Sequence, residues 1–483
     1  MTSRRQFLAG LAALPLAATP LAAFAQATRR PLAMPPLMDA RESRAFGLTA
    51  QAGTTDFLGR GGGTTRGLNG AYLGPTLRLA TGQVSRAEVR NALDEVITLH
   101  WHGLLVPGEA DGGPHQPIAP GASWVTDLPI TQPACTAWYH AHTHGETARQ
   151  VQMGLAGVLQ VDDGQDDARG LPSDYGIDDL MLVLQDRRFD RRGRIDYDPA
   201  MPDRMMGFLG DTMVVNGQVG ATAVVPRGIV RLRLLNGSNA RIYPLGFEDG
   251  REMHLVATDS GFLDRPIALN RLTLAPGERA EILVDFSDGR DARLVSGPNP
   301  NRMMGGMMGG GSAERAFPVL PFAVDSGLPA RIARLPQDLG GSVPARDAGD
   351  AAPRRISLEM PMGPGMMLGM LLGGSVFSIN GQSFDMGRTD FTIARGSTER
   401  WRITADTMMH PLHIHGVRFA VLSENGHAPA AQNLGWKDTV LVNGQAELLV
   451  RFDHPAPPET PFMFHCHILE HEDGGMMGQF AVT

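Results

Sequence analysis

Phe464-His465-Cys466-His467-Ile468-Leu469-Glu470-His471-Glu472-Asp473 places a single cysteine between two histidines. In an extended chain residues i and i+2 point to one face and residue i+1 to the other. His465 and His467 therefore look one way and Cys466 the opposite way. On its own face Cys466 can meet His410 and His471, with Met476 further along. One thiolate, two imidazoles and a distant thioether are the ligand set of a blue-copper electron-transfer site. On the other face His465/His467 is one of four His-x-His pairs, the others being His100/His102, His140/His142 and His413/His415. Such imidazoles suit a borderline metal such as copper far better than magnesium or calcium. Zinc also accepts Cys and His, but a structural zinc site leaves the four pairs unexplained.

Outward from these motifs the chain repeats itself three times. Asn380-Gly381-Gln382 leads through Gly396 and Arg400-Trp401-Arg402 to His413-Ile414-His415-Gly416. Asn216-Gly217-Gln218 leads through Arg231-Leu232-Arg233 and Asn236 to Tyr243-Pro244-Leu245. Gly74-Pro75-Thr76-Leu77-Arg78-Leu79 leads through Gly82 and Val89-Arg90-Asn91 to His100-Trp101-His102-Gly103. A second half follows each copy. Ala119-Pro120-Gly121 precedes Tyr139-His140, Ala275-Pro276-Gly277 precedes Ile282-Leu283-Val284, and Asn443-Gly444 precedes Phe464-His465. Alternating apolar and polar runs broken by Gly and Asn are the period of strands. Three similar β-sandwich units explain the pattern, expected over 45–163, 175–325 and 352–483 with linkers near 162–174 and 326–354. The middle copy has lost its histidines, so the four pairs converge only if the first and last units meet face to face.

Composition agrees with an all-β chain. At about 150 residues per domain, 483 residues suit three domains. The 59 glycines and 35 prolines favour short strands joined by turns over long helices. A hydrophobic fraction of 42% with 19% charged residues excludes wholesale disorder. The net charge of −8 argues against a nucleic-acid partner. Two cysteines, Cys135 and Cys466, exclude a disulfide framework. No apolar run of about 18 residues follows the N-terminal region, so no membrane span is expected in the mature chain. Thr2-Ser3-Arg4-Arg5-Gln6-Phe7-Leu8, an Ala/Leu-rich stretch and Ala23-Phe24-Ala25 read as a cleavable twin-arginine signal over residues 1–27. That implies the twin-arginine (Tat) export machinery and the periplasm. A monomer is expected.

The motifs resemble those of the multicopper oxidases from about residue 45 to 483, nearest to the periplasmic copper-efflux, laccase-type branch. The resemblance rests on His100-Trp101-His102-Gly103-Leu104, Gly108-Glu109-Ala110-Asp111-Gly112-Gly113-Pro114 and Met153-Gly154-Leu155-Ala156-Gly157. It continues through Asp406-Thr407-Met408-Met409-His410-Pro411, Gly435-Trp436-Lys437-Asp438-Thr439-Val440 and the run from His467 to Met477. It implies three cupredoxin-like Greek-key sandwiches and four copper ions. A type 1 copper would take His410, Cys466, His471 and Met476, and a type 2 copper His100 and His413. The binuclear type 3 pair would take His102, His140 and His467 on one side and His142, His415 and His465 on the other. Asp111 and Glu472 match acidic positions that supply protons in the family. Asp438 and Asp473 are candidates for orienting ligands.

The 25 methionines are clustered, notably Met303-Met304-Gly305-Gly306-Met307-Met308 and Met360, Met362, Met366, Met367 and Met370. Methionine commonly fills core gaps, but Met-Gly repeats offer no regular buried face, and grouped thioethers suit soft Cu(I). In the efflux relatives substrate copper binds at an Asp and a Met that match Asp406 and Met408. Glu359, Met360 and Met362 are the local candidates to complete such a site. The expected function is oxidation of Cu(I), and of phenolic donors at an exposed edge of His410 or His471, with O2 reduced to water. A laccase-like oxidase of organic substrates is the alternative. A non-enzymatic scaffold of the cell-division type, or a copper sequestrant, is the rival from another class. Scaffolds lose ligands, whereas all twelve positions are present here. His115, His144, His254, His427 and His454 read as surface or supporting residues, and Cys135 as a buried small side chain.

Overall fold

In a computed structural model of the chain, residues 30–301, 316–360 and 377–483 are described, with only the backbone of Asp406. The stretch 1–27 expected to be an export signal, the cluster at 303–308 and Met362, Met366, Met367 and Met370 lie outside the described residues. The protein is all-β, built as three Greek-key sandwiches.

The first sandwich pairs a five-stranded sheet, ordered Leu37–Asp39, Thr76–Ala80, Ala156–Asp162, Cys135–Ala141 and Leu99–His100, with a four-stranded sheet. In the latter, Gln83–Asn91 buries every second residue from Ser85 onward, the signature of a strand with one wet face. The middle sandwich has a six-stranded sheet centred on Ile229–Asn236 and Arg279–Asp285 and a five-stranded sheet including Tyr243–Phe247. Ile229–Asn236 is buried along its whole length, so both of its faces are covered and alternation disappears. In the third unit the long strand Thr398–Ile414 pairs with Ala352–Glu359, Thr439–Arg451 and Phe462–Cys466. Each unit has its own apolar core, the third grouped around Trp401, Phe464 and Phe480.

The threefold repeat has a structural counterpart the sequence reading only partly located. Asn69, Asn216 and Asn380 all take left-handed backbone, with φ of 57°, 50° and 52°. Each amide oxygen accepts a backbone N–H from a neighbouring strand, at Thr49 (2.7 Å), Val183 (2.8 Å) and Ser357 (2.8 Å). Asparagine tolerates this conformation because its short polar side chain satisfies the local backbone. The first copy therefore begins at Asn69-Gly70, ahead of Gly74.

One irregularity and plain strand register aim side chains at the unit boundaries. Thr398–Ile414 follows Thr439–Arg451 as far as Ala405, slips register, and resumes at His410 opposite Val442. Such a bulge re-aims the residues after it. At the other end of the same run His413 lies opposite His465, and in the first unit His100 lies opposite His140. Directly opposed residues share a face, so strand register alone brings together histidines far apart in sequence.

Candidate metal centre

The ten motif histidines and Cys466 are buried. Their donor atoms gather into groups lying within 4.8 Å: His410, Cys466 and His471; His142, His415 and His465; His102, His140 and His467; and His100 and His413 together with His102.

Around Cys466, the Sγ is 3.4 Å from His410 Nδ1 and 3.7 Å from His471 Nδ1, and the two Nδ1 atoms are 3.3 Å apart. The Ile468 N–H points at the sulfur from 3.4 Å. Met476 is fully buried in the same core, and its carbonyl accepts the Cys466 N–H at 3.0 Å. Burial pushes the Cys466 thiol well up, so a thiolate there requires a cation beside it. His471 Nε2 donates to the Met205 carbonyl at 3.1 Å, and the Phe377 ring stacks on it with centroids 4.5 Å apart. His410 and His471 are both 0% exposed, so the expected exposed edge does not exist. Part of the cover over His471 comes from the Met205 carbonyl on the middle unit's short helix Met201–Met206, which no pattern within the histidine motifs announces.

On the other face, His465 Nε2 lies 3.2 Å from both His142 Nε2 and His415 Nε2. His100 Nε2 and His413 Nε2 are 3.4 Å apart. The far nitrogens are tied back: His100 Nδ1 to the Asp111 carbonyl and His413 Nδ1 to the Asp438 carbonyl, each at 2.9 Å. His102 is turned the other way, with Nε2 3.2 Å from both Asp438 Oδ1 and Thr439 Oγ1. Its Nδ1, with His140 Nε2 and both His467 nitrogens, has no hydrogen-bond partner among the described residues. Buried ring nitrogens left without partners around one point are what a metal cradle requires. Burial also holds His410 and His413 at about 4 and His142 at about 3, below the ordinary imidazole range, so these three are neutral donors at neutral pH. The residues present fit copper.

Asp111 is 1% exposed; its Oδ2 lies 2.7 Å from His415 Nδ1 and 3.3 Å from His100 Nδ1, while Oδ1 has no partner among the described residues. Glu472 reaches within 3.1 Å of His465 Nδ1 and 3.5 Å of His142 Nδ1. Burial raises its carboxyl, but the imidazoles of His142, His465 and His467 outweigh that and hold it below the ordinary range. Asp473 does not touch a ligand; its carboxylate accepts the N–H groups of Thr147 and Ala148 in the first unit, each at 2.9 Å.

The substrate-copper candidates divide. Met360 and Met408 are buried in the same core as Cys466, together with Met205. Glu359 alternates onto the other side of its strand, where Ser357 and Ser378 donate to its carboxylate. Asp406 lies in the bulge, and Met362 is outside the described residues. Sequence reasoning also missed Glu470, a buried carboxylate that accepts from Tyr197, Asn239 and the Phe208 N–H and so clamps the third unit onto the middle one.

A fold of three sandwiches with these donor groups at their junction defines a class. Models of the multicopper oxidases match residues 49–166, 137–293 and 359–483, and the chain belongs to the multicopper oxidase family. Over its whole length it is 39% identical to the cell division protein FtsP of Escherichia coli K12, spanning 99% of that protein. Among solved structures it is similar to the laccase-like multi-copper oxidase CueO of the lignin-degrading bacterium Ochrobactrum sp.. The identity there is 45% and the TM-score 0.86, covering 94% of this chain and 100% of that one. It is also similar to the McoA multicopper oxidase of Aquifex aeolicus, with 31% identity and a TM-score of 0.82 over 94% of this chain and 100% of that one. Membership implies O2 and a reductant as substrates, and among the described residues no helix is long and apolar enough to cross a membrane.

Proposed function

We propose that the chain is an active oxidase that couples one-electron oxidation of Cu(I), and secondarily of phenolic donors, to reduction of O2 to water. It would be exported by the twin-arginine route and act in the periplasm as a monomer in copper tolerance. Its three units would run over 45–163, 175–325 and 352–483. The observation that carries the reading is the completeness of both donor groups, on opposite faces of one tripeptide. Four copper ions, held by His410, Cys466, His471 and Met476, by His100 and His413, and by the two groups of three histidines around His102 and His142, would supply the stored electrons that let O2 leave as water.

The residues themselves do the rest. The Cys466 backbone joins the thiolate to His465 and His467 by a short covalent path between the two groups. Asp111 and Glu472 each set a carboxylate against ligand rings, where its oxygens can accept a proton and pass it on. Met205, Met360 and Met408 are buried in the same core as Cys466, and thioethers favour a soft cation. The burial of His410 and His471 keeps bulky donors off the ring edges.

The relative named a cell division protein supports a second reading, a role in division without turnover. The Ochrobactrum enzyme, described as acting on lignin model compounds and lignosulfonate, supports oxidase activity and a place for organic donors. Steady-state oxygen uptake with Cu(I) and with a phenol, on one copper-loaded preparation, separates these. Uptake is expected with both and is faster with Cu(I). Uptake with the phenol alone favours the laccase-like alternative, and none with either favours the division role.

A further inference from the structure

We infer that the middle unit, which carries none of the histidine pairs, positions the trinuclear ligands through the turn Ala275-Pro276-Gly277-Glu278-Arg279, with Gly277 and Arg279 as positioning residues. The inference rests on the copper reading above.

Gly277 lies flat against His467. Its φ is +82°, and a Cβ there would stand 2.8 Å from Cδ2 and 2.9 Å from Nε2 of that ring. A metal-binding histidine is normally oriented by a hydrogen bond to its other ring nitrogen. His467 has no such bond among the described residues, so what holds its plane is contact: the Gly277 backbone on one side and the rings of His102, His140 and Trp138, with centroids 5.1, 5.4 and 5.5 Å away.

Arg279 acts on a different ligand. Its guanidinium grips both carboxylate oxygens of Asp438, and Asp438 Oδ1 is the partner of His102 Nε2. That contact fixes the ring orientation in which His102 Nδ1 faces the group. The arginine is placed by the turn itself, with Nη1 donating to the Gly277 carbonyl at 2.9 Å and the backbone N–H to Asp259 Oδ1 at 2.8 Å. Gly103, beside His102, makes room, since a Cβ there would stand 2.5 Å from Arg279 Nη2. A lysine at 279 would keep the charge but not the planar fork that fits both oxygens.

The test compares Arg279→Lys and Gly277→Ala with the wild-type holoenzyme by copper content per chain, the paramagnetic signature of the type 2 ion, the near-ultraviolet band of the type 3 pair and the blue thiolate band. Disturbed partners of metal ligands typically weaken binding about 10–100-fold. Both variants are expected to lose trinuclear copper or shift its signatures by that order, while the blue band stays at the wild-type level. Folded variants with unchanged trinuclear signals would overturn the inference. So would loss of the blue band in equal proportion, which marks a general structural defect. If Arg279→Lys fails to fold, Gly277→Ala decides alone, because it leaves the Arg279–Asp438 pair in place; failure of both to fold counts against positioning. Wild-type protein that takes up no copper would instead refute the underlying copper reading.

Discussion

In the first unit Ala119-Pro120-Gly121 turns at the surface: Gly121 has φ +79° and nothing lies within 4 Å of where its Cβ would be. In the middle unit Ala275-Pro276-Gly277 makes the same turn, with Gly277 at φ +82° and its N–H on the Asn236 carbonyl, as the Gly121 N–H is on that of Asn91. There the site of the missing Cβ is taken by His467. One repeat element thus serves as plain chain reversal in one place and as a wall of the metal centre in another. The wider contrast is similar. The first and third units present imidazoles, whereas the middle unit buries Arg231, Arg233 and Arg279 against Glu281, Asp179 and Asp438. Losing its histidines left the middle unit with a supporting task carried by charge and shape.

The largest effect is expected in the ligand-bearing part. Cys466→Ser should abolish the blue absorption and nearly all turnover while leaving trinuclear copper bound, as absorption and copper analysis would show. A protein that stays blue would break the division of labour between the two faces of the tripeptide.

Acid should separate the units next. His410 and His413 are held at about 4 and His142 at about 3, against an ordinary 6.5, because burial disfavours their charged forms. The unfolded chain therefore binds more protons below pH 6.5, and copper-free protein should lose about 1.4 kcal/mol per pH unit for each such histidine as pH falls toward 4. Burial raises the Glu281 carboxyl, but Arg231 and Arg233 more than offset that and hold it at about 2, so its stabilisation persists until pH falls from 4.5 through about 2. Hydrogen exchange on copper-free protein between pH 7 and 4 should show the first and third units opening before the central strands of the middle one. Uniform opening would mean that the three cores are too strongly coupled to distinguish.

The smallest effect sharpens the paired turns. Gly121→Ala meets only backbone strain, about 1 kcal/mol, and copper content should be unchanged. A loss of copper from this variant would remove the contrast with Gly277.

Much of the site was legible because its signal is local. His-x-His in a strand puts two rings on one face whatever else the chain does, and His413 opposite His465 follows from simple antiparallel register. What escaped reading depends on how the units dock. The Met205 carbonyl on His471, Glu470 bound by Tyr197 and Asn239, and Gly277 against His467 all join residues that no period connects. Glu359 is a different case: the alternation of its strand, Leu358 and Met360 inward and Glu359 outward, was available in the sequence and argued against grouping it with Met360.

The central claim is that this chain is a copper-loaded oxidase, despite its likeness to proteins named for cell division. The most direct measurement is the metal content of the purified chain after copper loading, by elemental analysis with visible and paramagnetic spectra. The account predicts four copper ions per chain with one blue centre. Protein that folds and stays colourless, binding no copper in stoichiometric amount, would contradict it.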